Sequence, residues 1–511
     1  MKKTIFTLLL AVTAVLALNA ETYVGNIVVV RNGQTYNQTV TVTATETDNG
    51  MYDFVLQVPM FGTMKMFDVP ASTTDGITVY SAVRDVPTNF GDMRTTLFAR
   101  SIDGMMAANV DIPAYNTTMF FNTVGDHFQL PNGDMEAWNT SINEPNHWHG
   151  FMTAYGGFAS TSRSLATLAQ STDVHSGSTG TYSAVMKAGQ VPVLGIIANG
   201  TMTNGHLKAG SMDPGSYENH AHMCNDSTQT DPNGDRYYMP LYAKPDKFNV
   251  WLKYTQGTAN ANNKASVSVK TFDGTYYQEP SGTTYTNLTG SIVGGEIPVG
   301  DWTFYSFPFD YDSYEANHAR SEAIFVTFST NGTPAQGSKN DALYVDEMEL
   351  VYLGAMTDLR YQGATIDGWD PAVTTYNLEV TSVPSLDDFT ATIEGVSAVL
   401  TKSMEQTGEN TYRIAISVVA GDLQEAACYI INATVSTPAG KRGDVNMDGD
   451  VDINDVTRLI DVVLGKTVEY DPVAADCNVE SGDNSIDIND VTALISRVLT
   501  GNWFLLLNNT K

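Results

Sequence analysis

The chain has 511 residues, which at roughly 100–200 residues per domain means about three to five domains and ample material for cores. Hydrophobic residues make up 42%, which rules out a wholly disordered chain, while only 16% are charged, pointing to short strands and many turns rather than long charged helices. A net charge of −30 repels phosphate backbones and anionic lipid, so nucleic acid and membrane surfaces are poor partners and neutral ligands and divalent cations remain.

Residues 1–20 read as a secretory signal peptide. Lys2 and Lys3 form the positive start, Ile5 to Leu18 an apolar run, and Ala20 the small residue before cleavage. The run is short of the ~20 residues that a spanning helix needs, and no cysteine follows the cleavage point. The expected product is secreted or cell-surface associated, outside the cytoplasm, with no membrane anchor. Cys224, Cys428 and Cys477 are too far apart for metal-ligand spacing and too few for a disulfide framework.

Residues 21–125 alternate with the period of a strand. Val40, Val42 and Ala44 point one way and Thr39, Thr41, Thr43 and Thr45 the other, and Phe54, Leu56 and Val58 continue the pattern. Asn32-Gly33 and Asp48-Asn49-Gly50 fall between the runs, where hairpin turns need residues that tolerate positive φ. An up-and-down antiparallel barrel or sandwich follows. With its opening Tyr23-Val24-Gly25, the segment resembles the calycin-like β-barrel domain of secreted proteins from gut Bacteroidetes.

Residues 126–353 open with the motif Phe128 to Trp138 and Pro145-Asn146-His147-Trp148, and close with the alternating strand Leu343 to Tyr352. Together these resemble the carbohydrate-metabolism domain of Bacteroidetes, a galactose-binding-like jelly roll. Jelly rolls bring their first and last strands side by side, which would place Glu136 near Asp346 as a candidate Ca²⁺ site, with Asp134 and the turn at His175 as further contributors. The bland alternative is a pair of exposed strand-end acids. Sugar binding needs aromatic platforms and a few polar groups. Trp148, Tyr238, Trp251 and Trp302 supply the former, Arg236 and Asp246 the latter. His147-Trp148-His149 and His220-Ala221-His222 put pairs of rings on one strand face, with no third ligand evident. There is no Gly-x-Ser-x-Gly elbow, His-Glu-x-x-His helix or phosphate-binding Gly-Lys-Thr loop, so no motif supports catalysis.

Residues 354–437, from Leu359-Arg360-Tyr361 to Ala427–Val435, look like a small Ig-like β-sandwich, and Pro438, Gly440 and Gly443 make the following linker rich in breakers.

The last segment carries the most chemistry. A twelve-residue loop starts at Asp444 and places oxygen side chains at positions 1, 3, 5, 9 and 12: Asp444, Asn446, Asp448, Asp452 and Asp455. Gly449 stands at the sharp turn, and Asp450 offers its carbonyl at position 7. Ca²⁺ takes six to eight hard oxygens at about 2.3–2.6 Å, and this spacing wraps them around one ion. The pattern recurs, with Asp452–Thr457 repeated as Asp487–Thr492. In the second copy Asp476, Asn478, Asp483, Asp487 and Asp490 align only if an insertion is allowed around residues 479–481. Leu459, Ile460, Val463 and Leu464 match Leu494, Ile495, Val498 and Leu499, predicting two amphipathic helices, each with one sticky face, ended by Gly465 and Gly501.

Two such loop–helix halves with Asp at position 12 resemble a type I dockerin over residues 443–501. The resemblance implies a cohesin-like protein partner, met through Ile453 and Asn454 in one repeat and Ile488 and Asn489 in the other. The alternative is that Ile453 and Ile488 merely tie loop to loop. Residues 502–511 form a short apolar tail. The fold class expected is therefore mainly β and multi-domain, with a small C-terminal α module. The function expected is a non-catalytic glycan-binding or scaffold-attached protein of a bacterial extracellular carbohydrate system. A glycoside-acting enzyme with its site in 126–353, or a structural adhesin, are the competing readings.

Overall fold

A computed structural model describes residues 20–501 apart from 33, 48, 59–60, 75–76, 103, 124–127, 224–225, 227, 242, 335, 409, 424–425, 437–440 and 479–484. Residues 1–19 of the expected signal segment, Cys224, Asp483 and the apolar tail thus lie outside the described residues. The protein is mainly β, and its buried residues fall into four clusters along the chain.

The first cluster lies inside a nine-stranded antiparallel sheet that runs from Ala20 to Asn122 and curls into a barrel-like shape. Adjacent strands are mostly neighbours in sequence, as expected of hairpin-connected strands. Val40, Val42 and Ala44 face inward, as do Phe54, Leu56 and Val58, and the threonines between the first three face outward or sit at the margin. Asn32 adopts φ +51° where the first hairpin turns. Tyr80 sits against Tyr52 and Phe54, each with ring centroids 5.0 Å away and nearly perpendicular.

Residues 128–353 form a second, two-layer β unit. Strand Ala342–Val351 lies between Ser183–Lys187 and Lys247–Thr255 in one layer, while Ala265–Phe272 and Ala323–Ser329 belong to the other. Strand Gly300–Asp310 pairs with Lys247–Thr255 along most of its length and with Leu288–Ile292 at its end, joining the layers. Alternate residues Phe248, Val250, Leu252 and Tyr254 point inward to meet Val267, Val269, Phe325 and Phe328. The opening motif forms turns rather than a strand, but it runs beside the end of the last strand. Gly133 O accepts from Met348 N at 2.9 Å, and Gln129 Oε1 accepts from Leu350 N at 2.8 Å. A Cβ on Gly133 would stand 2.4 Å from Met348 O, so this close approach requires glycine.

Residues 356–435 build two small sheets around Leu359, Phe389, Ile414, Ile416 and Ile431. Thr375–Val380 pairs in parallel with Ala426–Val435, because the chain between them crosses to the other sheet through Phe389–Ile393 before returning.

These three units meet at one polar node. Arg100, on the outside of the barrel-like sheet, is buried and donates to Gly421 O and Ser397 O at 3.0 Å each. Burial lowers its guanidinium pKa to about 10, so it stays charged at neutral pH. Asp246 accepts from Leu353 N at 2.8 Å and Val396 N at 2.9 Å, so it serves the junction rather than a sugar. Phe98 and Ala107 add apolar contact between the barrel-like sheet and the second unit. Arg100→Met leaves one buried carbonyl, Gly421 O, and one half-buried carbonyl, Ser397 O, without this donor and is expected to weaken the junction by about 2–5 kcal/mol. In calorimetry this should release a separate, lower melting transition. Wild-type melting would instead assign the coupling to Phe98 and Ala107.

Candidate calcium loops and candidate glycan-binding face

The first acidic loop is held by its own backbone. Asp444 accepts from Asp448 N at 3.0 Å and Gly449 N at 2.9 Å, and Asp455 accepts from Asn446 N at 3.0 Å and Asp452 N at 2.8 Å. Gly449 takes φ +91°, the sharp turn that the spacing requires. Carboxylate oxygens of Asp444, Asp448 and Asp455 lie within 4.8 Å of one another, with Asp444 and Asp455 buried. The Asp450 N–H and the Asn446 amide hold the Asp448 carboxyl below its usual range. Three converging carboxylates in a partly buried loop repel one another unless a cation joins them, and hard oxygens suit Ca²⁺. Asp452 instead turns its carboxylate to the helix that follows, accepting from Asn454 N at 2.7 Å as the N-cap of Ile453–Val463. The Asp450 side chain is exposed, and its place in the loop leaves the carbonyl as its contribution.

The second copy repeats the position-12 geometry. Asp490, fully buried, accepts from Cys477 N at 2.7 Å and Asn478 N at 2.9 Å, and from Asp487 N at 2.9 Å. Asp487 caps the helix Ile488–Thr500 through Asn489 N. Asp476 ends a short helix, Pro472–Ala475, which has no counterpart before Asp444 among the described residues. The Cys477 thiol is pushed up to about 12 by burial, and the Cys428 thiol is raised for the same reason, which agrees with both cysteines being structural. Arg442 ties the copies together by donating to Cys477 O.

The two helices pack on each other through Val456, Leu459, Val491 and Leu494. The single sticky face expected from sequence divides in two. Leu459 and Leu494 are buried, whereas Ile460, Leu464, Ile495 and Leu499 are exposed. Ile453 and Ile488 are 61% and 63% exposed, so they do not tie loop to loop; that role falls to the partly buried Val451 and Ile486. Each helix therefore presents the same outward stripe, Ile453–Ile460–Leu464 and Ile488–Ile495–Leu499, with Asn454 and Asn489 exposed beside it.

In the second unit Asp346 is 1% exposed, and its Oδ2 has no hydrogen-bond partner. Burial, reinforced by the charges of Glu347 and Glu136, pushes its carboxyl up to about 7. Glu136 is thus near Asp346, but its Oε1 is engaged by Thr181 N at 2.7 Å and Tyr182 N at 2.8 Å. Asp134 is exposed. The His175 turn contributes a side chain: the ring stacks on Trp251 at 4.1 Å and meets Glu347 at 2.8 Å. Glu347 sits at φ +46°, a strained position that no sequence pattern announces.

An aromatic face adjoins this acid group. Trp251 lies against Phe304 at 5.5 Å, and Trp302 against Tyr344 at 6.1 Å. The Trp302 indole N–H donates to Asp173 at 2.9 Å, and Lys253 bridges Asp173 and Asp301. Because His175 covers one face of Trp251, the most exposed ring here is Phe304, at 49%, a residue that sequence reasoning did not single out. Arg236 and Tyr238 form a separate group, the guanidinium 5.1 Å from the ring. Trp148 does not fit a glycan role, because it is fully buried and its indole N–H donates to Pro131 O at 3.0 Å.

Asp346 gives a pH-dependent prediction. A carboxyl whose folded pKa lies above its unfolded value favours folding at low pH, and the advantage is lost as pH rises from about 4 to about 7. In chelator, Asp346→Asn is expected to remove this loss and stabilise the protein by up to about 4 kcal/mol at pH 7.5. Denaturant unfolding followed by tryptophan fluorescence would measure it. Equal stability of the two proteins at that pH would count against a cation-seeking Asp346.

No family model matches the chain, and no curated protein matches it significantly. Among solved structures it is similar to the enzymatically active domain of tailspike protein 4 of bacteriophage CBA120, with 15% identity over 43% of this chain and 21% of that one, and a TM-score of 0.23. PNGF-II matches at 9% identity over 66% and 69% of the two chains, and the infectious bursal disease virus Gx strain structure at 10% over 65% and 70%, both with a TM-score of 0.12. Overlaps this poor carry no argument about fold or activity.

Proposed function

We infer that the chain is an exported, non-catalytic glycan-binding protein of a bacterial extracellular carbohydrate system, attached by a Ca²⁺-dependent dockerin-like plug to a cohesin-like partner. The observation that carries this reading is the duplicated apolar stripe, each copy springing from a loop closed by a buried aspartate. An exposed isoleucine, isoleucine and leucine in matching places on two helices are costly in a monomer and useful in an interface. Near-identity of the copies lets a partner engage either one after a half-turn of the plug.

Glycan binding is supported by the resemblance of residues 126–353 to a galactose-binding-like jelly roll and by the aromatic face of Trp302, Phe304 and Tyr344 beside Lys253 and Asp301. Apolar faces of sugar rings lie on such rings while the flanking charges meet hydroxyls. Glycosidase chemistry needs two opposed carboxylates in a cleft. Of Glu136 and Asp346, the pair expected from the jelly-roll ends, the first is instead engaged by backbone N–H groups and the second is buried.

Two experiments test the reading. In calorimetric titration of the full chain with Ca²⁺, Asp455→Ala is expected to lower affinity at the first loop by about 100-fold or more, with loss of helical signal. Binding unchanged by that substitution would remove the plug. On a glycan array, Trp302→Ala with Phe304→Ala is expected to abolish wild-type signal, with no reducing sugar released by either protein. Sugar release by the wild type would move the chain to the enzymes.

A further inference from the structure

Three of the chain's eight histidines, His206, His220 and His222, gather on one strand pair of the second unit, far in sequence from the acidic loops. Strand His206–Ala209 pairs antiparallel with Asn219–Met223, setting His206 opposite His222 and Lys208 opposite His220. Alternation sends Leu207, Ala209, Ala221 and Met223 into the core and leaves His206, His220 and His222 together on the other face. His206 is the third ring that the sequence could not supply, because it arrives by strand pairing and not by spacing.

The rings are spaced for a shared ion. Centroids of His206 and His222 are 5.6 Å apart and those of His220 and His222 are 5.3 Å apart. Two imidazoles bound at about 2.0–2.1 Å to one tetrahedral ion have centroids about 5 Å apart. Proton placement points the same way. His206 Nε2 lies 3.0 Å from Thr153 O and His220 Nδ1 lies 2.7 Å from Tyr217 O. A carbonyl accepts only from a protonated nitrogen, so each contact fixes the tautomer and leaves the other nitrogen with a free lone pair. Those nitrogens, His206 Nδ1 and His220 Nε2, are buried without a hydrogen-bond partner, as is His222 Nδ1. Both His220 and His222 are more than nine-tenths buried. A buried acceptor left unmet costs about 1–3 kcal/mol, and three on one face call for a shared ligand.

We propose that His206, His220 and His222 bind one late first-row transition-metal ion of the Zn²⁺ or Cu²⁺ class. Imidazole nitrogen suits these ions and not Ca²⁺, which takes oxygen. Tyr237 stacks on His206 at 3.9 Å, while Tyr155 and Tyr276, both more than two-fifths exposed, flank His222. Lys208, the nearby cation, is neutralised by its ion pair with Glu218. Among the described residues, the Asp444–Asp448–Asp455 group alone already has three ligand atoms within 4.8 Å of one another. The imidazole nitrogens stand farther apart than that, so the ion must draw the rings together while their contacts to Thr153 O and Tyr217 O hold.

The test uses the full chain saturated with Ca²⁺, so that the acidic loops do not compete. Calorimetric titration with Zn²⁺ is expected to show about one equivalent bound tightly. His222→Ala should weaken it by about 100-fold or more, while Asp448→Asn and His147→Ala leave it unchanged. Cu²⁺-loaded wild type should show imidazole nitrogen hyperfine coupling by electron paramagnetic resonance, a readout that needs no variant to fold. Absence of a tight Zn²⁺ equivalent, absence of nitrogen coupling, or undiminished binding by folded His222→Ala would each overturn the assignment.

Discussion

This chain has 57 acids against 27 lysines and arginines, and its buried carboxylates are met mostly by backbone rather than by basic side chains. Where they go inside, the structure aims backbone N–H groups at them. Glu144 accepts from Gly150, Met152 and Thr153, and Asp341 from Gly257 and Ser338. Asp246 gathers Leu353 and Val396, and Asp455 and Asp490 do the same for their loops. An acid treated this way becomes an organiser, since each one fastens a loop, a helix start or a junction between units. Two places stand out: Asp346 keeps one oxygen unmet, and Asp444, Asp448 and Asp455, although each accepts backbone N–H groups, converge within 4.8 Å of one another. Those are the places where the proposed divalent cation would sit.

Much of the architecture was legible because strand alternation is a local signal. Val40, Val42 and Ala44 announced their face within five residues. The loop at Asp444 was legible for the same reason, since every ligand candidate and the turning glycine lie within twelve residues. Helix stops at Gly465 and Gly501 were equally local, and both glycines take positive φ. The helix faces were harder. Leu459 and Ile460 are adjacent in sequence and look alike, yet one is buried and the other exposed, because the packing partner and not the composition decides.

What stayed hidden depended on long-range pairing. Nothing near His206 marks it as the companion of His222, sixteen positions away. Glu347 reaches His175 from the far end of the unit. Trp148 looked like a platform because tryptophan often is one, and only burial showed that it fills the core. Asp246 looked like a polar partner for a sugar, and nothing marked Arg100, until the three β units closed around them.

The parallel pairing of Ala426–Val435 with Thr375–Val380 has a mechanical meaning. This strand leads directly to the linker of the C-terminal module, so any pull on that module is delivered along its axis. Flanked on both sides by neighbours aligned with the load, it must break its ladder bonds together instead of peeling them one at a time. Were the C-terminal module to serve as the proposed anchor, the small sandwich would meet such a load in shear before it reached the rest of the molecule.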